Sequence, residues 1–146
     1  MAKAFPTYVS TDLTKRPART SSDSNQVICA GESIAVAAGD TTLNKLLGKG
    51  VYLPKGAQIV GYVCDCDDLD SNGTPLITIS IGDATVDDRI MAASTIPQAG
   101  GVNVTPKKGA IGFTCTAETL FQPKVKAAAA TGQAGTLTYG ILYVSN

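Results

Sequence analysis

From Gln26 onward this chain contains only short apolar runs, each cut off by a turn signal. VICA (27–30) meets Gly31, and SIAVAA (33–38) meets Gly39-Asp40. The run ending at Leu53 meets Pro54-Lys55-Gly56, where Pro fixes φ and Gly tolerates a positive one. The run 57–67 leads to Asp70-Ser71-Asn72-Gly73, and LITISIG (76–82) follows. Three more runs cover 110–117, 120–128 and 136–145. Runs of this length cannot supply the long amphipathic helices of a bundle, and with this spacing they specify strands.

The pattern predicts seven to nine short antiparallel strands, an all-β jelly roll or β-sandwich over 27–146, with an extended N-terminal arm over 1–26. Within it, Asn72-Gly73 between two β-rich runs predicts that 57–67 and 76–82 pair as a hairpin. Residues 42–50 read as a helical turn or an irregular link. DDRIMAA (87–93) reads as one helical turn, with Asp87 and Asp88 at its N-terminus. Pro123 marks the strand over 120–128 as an edge strand or a bulge. AAAATGQAG (127–135), rich in small residues, reads as a mobile loop.

Residues 1–25 differ in composition from the rest. Lys3, Lys15, Arg16 and Arg19 stand against Asp12 and Asp23, and TKRPARTSSDSNQ holds no apolar side chain larger than Ala. Such a segment has little to bury by itself and is expected to order against a partner. MAKAFPTYVS shows no signal-peptide apolar region, and no run reaches the ~18–20 residues of a membrane span. A reducing cytosol is the expected compartment of synthesis, with the four cysteines as free thiols.

Of the 146 residues, 16% are charged, against roughly 25% in ordinary soluble domains. Twelve basic residues balance twelve acidic ones, so copies of the chain repel one another weakly. There is no histidine, which removes the usual general base and the commonest zinc ligand. Nucleophile-elbow, zinc-protease and phosphate-loop motifs are absent. Nothing singles out a carboxylate pair for glycoside hydrolysis. The basic groups Lys15, Arg16, Arg19 and Lys107-Lys108 are not interleaved with aromatics, as single-strand nucleic-acid binding would want.

The stretch V-G-Y-V-C-D-C-D-D-L-D (60–70) carries the densest chemistry. On a strand, Val60, Tyr62, Cys64 and Cys66 share one face, while Gly61, Val63, Asp65 and Asp67 share the other. The cysteine face is apolar, so these thiols read as small core hydrophobes. Phe113, Cys115 and Ala117 alternate in the same way. C-x-C is not the C-x-x-C of a zinc knuckle or a redox helix, and Cys29 and Cys115 are remote singletons. A Cys64–Cys66 disulfide is disfavoured, because alternate strand residues lie roughly 6.6 Å apart at Cα. A bridge from Cys29 or Cys115 across the core is left open. Asp65, Asp67, Asp68 and Asp70 are the metal candidates, as oxygen ligands to calcium that Asn72 could join; the spacing is not that of an EF-hand, and a second acidic cluster, Asp83, Asp87 and Asp88, would meet the first if the hairpin brings it near. Solvated acidic loops at one end of a sandwich are the simpler reading. No cofactor is implied.

Three stretches carry a family flavour: V-Y-L-P-K-G-A-Q-I-V-G-Y-V-C-D-C-D (51–67), L-I-T-I-S-I-G-D (76–83) and D-R-I-M-A-A-S (88–94). With the closing T-L-T-Y-G-I-L-Y-V (136–144), they resemble small virion proteins of tailed bacteriophages. In those chains L-P-x-G-A-x-I-x-G opens a long strand, and G-D…D-R follows its partner. Within that group the chain is most similar to capsid decoration, or cement, proteins. The resemblance implies a dimer or trimer on the outer surface of a virion, made in the host bacterial cytoplasm. Its partner would be the major capsid protein, with no membrane and no direct nucleic-acid contact. It gives the arm a role, with Phe5, Tyr8 and Val9 as apolar anchors and Lys15, Arg16 and Arg19 facing acidic capsid surface. The competing readings are a head fibre or tail knob, a shell-forming coat protein, and a calcium-dependent carbohydrate-binding sandwich.

Overall fold

The computed structural model describes residues 26–145. Eight strands form: β1 (Val27–Val36), β2 (Val51–Leu53), β3 (Ala57–Cys66), β4 (Thr78–Gly82), β5 (Met91–Ser94), β6 (Gly101–Asn103), β7 (Thr119–Ala127) and β8 (Gly135–Ser145). They make two antiparallel four-stranded sheets, ordered β1-β8-β3-β6 and β2-β7-β4-β5. Four of the pairings, β1 with β8, β2 with β7, β3 with β6 and β4 with β5, are those of one long hairpin folded on itself. Rolling that hairpin adds β8–β3 and β7–β4 and closes the two layers, which is the jelly-roll arrangement of the β-sandwich.

This topology corrects the expected hairpin. β3 and β4 lie in different sheets, because in a rolled hairpin consecutive strands cross the sandwich until the turn at β4–β5. The Asp70–Gly73 turn signal belongs to a crossing loop. The core lies between the layers. Ile59, Leu137, Tyr139 and Ile141 meet Leu53, Ile79, Ile81, Phe121 and Val125, all essentially without solvent contact. Each such side chain stabilises the fold by about 1.5–3 kcal/mol relative to exposure. The Tyr139 hydroxyl crosses the interior and donates to the Phe121 carbonyl at 3.2 Å, joining β8 to β7.

The strand expected over 57–67 is present but changes phase. A bulge between Ile59 and Gly61 turns Val60 outward, so Ala57 and Ile59 point inward before it and Tyr62, Cys64 and Cys66 after it. A bulge adds one residue to the strand and so flips the alternation. Gly31 does not break the first strand: β1 runs through it, in unbroken register from Val27↔Val144 to Val36↔Gly135.

Residues 87–93 are not helical. The Asp83 carboxylate accepts the Thr85 and Val86 amides, both at 2.8 Å, and closes a turn. Ile90 and Met91 are then buried, and Met91–Ser94 pairs with β4. Residues 110–117 are not a strand of either sheet. Gly109 and Gly112 take positive φ and turn the chain, while Phe113 and Cys115 follow the start of β3 through bonds to Ile59 and Ala57. Pro123 sits on an interior strand, with β4 on one side. On its other side the partner is the irregular link over 42–50, where Asn44 and Lys45 bond to Val125 and the Leu47 amide donates to the Pro123 carbonyl. The missing Pro N–H faces that link, so no ladder bond between regular strands is lost.

Candidate functional site

The four Asp of the 60–70 stretch go to separate places. Asp65 stands exposed on the outer face of β3. Asp67 accepts the Thr136 amide at 2.7 Å, and Asp68 accepts the Asp70 amide at 2.9 Å. Asp70 is buried, with 1% of its surface exposed. Its Oδ1 accepts the amides of Thr131 (2.8 Å) and Asn72 (3.3 Å). Its Oδ2 accepts those of Leu76 (2.8 Å), Ala130 (2.8 Å) and Ile77 (3.3 Å). Burial by itself would raise this carboxyl, but the amides of Leu76, Thr131, Ala130 and Asn72 prevail and hold it well below the usual carboxylate range. Residues 127–135 are therefore clasped to the 67–77 loop, with further bonds Ser71 N to Thr131 O and Gln133 N to Leu69 O. That replaces the expected mobile loop. Among the described residues no three His, Cys, Asp or Glu side chains converge as a metal site would require.

The second acidic group is neutralised piecewise. Asp83 pairs with Arg89, Asp88 with Lys107 at 2.6 Å, and Asp87 with both Lys124 (2.9 Å) and Lys126 (2.8 Å). Hydrogen bonds from Lys126 and Lys124 hold Asp87 below its ordinary range. Beside this group lies an open cleft of about 320 Å³, lined by Asp83, Arg89, Phe113, Glu118 and Thr119. The Arg89 guanidinium lies 4.2 Å from the Phe113 ring centroid and is already committed to Asp83. The Asp83 and Arg89 charges are thus spent on each other, and Glu118 is the other titratable side chain lining the cleft.

All four cysteines are free, and only Cys29 is exposed. Burial pushes the thiols of Cys64 and Cys66 up to about 12, so neither is a thiolate near neutral pH. Burial also pushes Tyr62 up to about 12; its hydroxyl lies 2.6 Å from Asn103 Oδ1 and 2.8 Å from the Thr105 carbonyl.

The surface best suited to a partner is the outer face of the β1-β8-β3-β6 sheet. The register lays it out in rows: Val27–Val144–Gln58, then Cys29–Leu142–Gly61, then Gly31–Gly140–Val63, then Ser33–Thr138–Asp65–Val102. Val60, beside the bulge, joins the second row. Val27, Val60, Val63 and Val102 are between 40% and 61% exposed. Asp65 is the only charged residue in these rows. Solvent-facing sheet surfaces normally alternate to polar residues, and an exposed apolar patch of this kind marks an interaction surface. Sequence reasoning did not single out these residues, although it had a signal. I-V-x-Y-V in β3 and G-I-L-Y-V in β8 are apolar on both parities, which half-buried strands are not. Phe5, Tyr8, Val9, Lys15, Arg16 and Arg19, the expected partner contacts, lie outside the described residues.

Among the described residues no helix is long and apolar enough to cross a membrane. No known family model and no curated protein matches the chain. Solved structures do. A chain of the cyanophage Pam1 capsid asymmetric unit aligns with a TM-score of 0.73 and 28% identity, covering 97% of this chain and 100% of that one. A chain of the capsid of Ralstonia phage GP4 aligns at 0.72 and 28%, covering 90% and 92%. A chain of the acid-stable capsid of Helicobacter pylori bacteriophage KHP30 aligns at 0.53 and 14%, covering 82% and 89%, a likeness of fold alone. In fold and in sequence, this chain is similar to chains that stand in solved bacteriophage capsids.

Proposed function

We propose that this protein is a structural, non-catalytic component of a phage virion, and within it a decoration or cement protein on the outer capsid surface. The observation that carries the reading is the likeness to two phage capsid chains at 28% identity over nearly the whole length. The apolar outer face of the first sheet, whose rows hold Asp65 as their single charge, supports it, because it supplies a surface whose burial rewards assembly. In this reading the domain over 27–146 is the body, and residues 1–26 are an arm laid along the major capsid protein. Phe5, Tyr8 and Val9 anchor it, and Lys15, Arg16 and Arg19 face acidic groups. Ordering the arm costs entropy, which its contacts must exceed.

The test is to mix the purified protein with shells of its phage assembled without it, pellet them, and count copies per shell. Saturable binding at a simple ratio to the major capsid protein, with raised shell thermal stability, is the expected result. Deleting residues 1–25 should weaken binding while the domain stays folded. If no shell forms without this chain, it is the shell-forming coat protein. If shells form and it fails to bind them, the cement reading is wrong.

A further inference from the structure

A β-sandwich has four sheet edges, and natural proteins guard theirs with short strands, Lys, Pro or bulges. Three edges here are short: β6 and β2 have three residues each and β5 has four. The fourth, β1, has ten residues, no Pro, no Lys or Arg, and no register shift. Its single charge, Glu32, does not guard it. That side chain turns inward, accepting the Lys49 amide at 2.7 Å and the Gly50 amide at 2.9 Å. Among the described residues, no backbone hydrogen bond is made along the outer edge of β1.

The strand is also its own complement. In antiparallel pairing about a two-fold axis at Gly31, Val27 meets Ala35, Ile28 meets Ile34, Cys29 meets Ser33 and Ala30 meets Glu32. Nine residues of each strand pair, and no charge lies directly opposite a like charge. An axis one residue on would set Glu32 against Glu32, which cross-strand pairs disfavour. The outward side chains along the seam are small (Cys29, Gly31, Ser33), and the chain carries no net charge to drive copies apart.

We propose that β1 is the seam between two copies of this chain, joined antiparallel at Gly31 so that two four-stranded sheets become one of eight. The apolar outer faces of the two copies then form one continuous surface. The seam is a property of the isolated protein, so it is tested without shells, and its failure leaves the capsid reading standing.

Ser33→Cys places a thiol opposite the partner's native Cys29. Within one chain the two positions are roughly 13 Å apart along the strand and cannot bridge. Under mild oxidation the variant is expected to form a disulfide dimer between Cys29 and position 33, and adding Cys29→Ser should abolish it. Sedimentation of the wild-type chain should show a dimer at micromolar concentration, with or without residues 1–25. Hydrogen exchange on the wild type reads the seam with no substitution: half the amides of Val27–Val36 should exchange roughly tenfold more slowly in concentrated than in dilute protein. A monomer, a dimer that never forms this bridge, concentration-independent exchange of β1, or a dimer lost on removing residues 1–25 would each overturn the proposal.

Discussion

The two sheets present opposite outer faces. The β2-β7-β4-β5 sheet carries Lys124, Lys126 and Gln122, and the 83–90 turn folds back over it, with Asp87 gripping both lysines. The β1-β8-β3-β6 sheet carries valines, a leucine, three glycines and one carboxylate, and no described segment covers it. Around β4 and β7 the second face is finished within the chain, its charges paired and its cover covalently attached, while Tyr52 on the edge strand β2 stays exposed. The first is left for something else to finish. A fold needs both sheets' inner faces but only one outer face to be self-sufficient, so the apolar outer face is better explained by assembly than by folding.

Substitutions can break this contrast. The largest loss of stability should come from Gly82→Ala. A Cβ there would lie 2.2 Å from the Val86 carbonyl oxygen and 2.3 Å from the Asp87 carbonyl carbon, and backbone cannot give way as a side chain can. About 3 kcal/mol by denaturant titration is expected, with the cover lifted from the second sheet. Asp70→Asn comes next, because the amide replaces one of two acceptor oxygens with a donor facing N–H groups. Residues 127–135 should become protease-sensitive. The pH dependence follows from Asp70's lowered value in the folded state. Its contribution is complete above the ordinary carboxylate range near pH 4 and is lost as pH falls below it, so the melting temperature should drop on acidification. In Asp70→Asn that acid limb should flatten; an unchanged limb would assign it to other carboxylates.

Smaller again is Asp87→Asn, which releases Lys124 and Lys126 at a partly exposed site. About 0.5–1 kcal/mol is expected, shrinking in high salt. The smallest effect on folding should be Val63→Lys on the first face, within about 0.5 kcal/mol of wild type. The same variant should lose at least tenfold in binding to shells in the pelleting assay. If Val63→Lys unfolds the domain as Gly82→Ala does, the first face belongs to the fold and the contrast fails.

How legible this was varied by region. The all-β class and the closing strand over 136–145 could be read directly, because turn residues and apolar runs act locally; the eight strands fall within the expected seven to nine, but β5 and β6 stand in for the strand expected over 110–117, and one strand through Gly31 stands in for two. The inward direction of Cys64 and Cys66 was legible too, but Val60 was not, since a bulge is decided by how β3 meets β8. Asp70 stood out as a turn residue. That its carboxylate would also hold Ala130 and Thr131, sixty residues on, depends on two loops meeting at one end of the sandwich.

By itself, the sequence determined the class of fold, the buried thiols, the lack of a histidine-based site and the neutral balance of charge. These follow from composition and from periodicity along the chain. Only the tertiary structure decided which strands pair, that β3 and β4 part to opposite sheets, and that β1 is a long edge, unguarded among the described residues, beside an apolar face. Hydrogen-bond partners across a sheet and the covering of a face are relations between distant segments, and no local pattern encodes them.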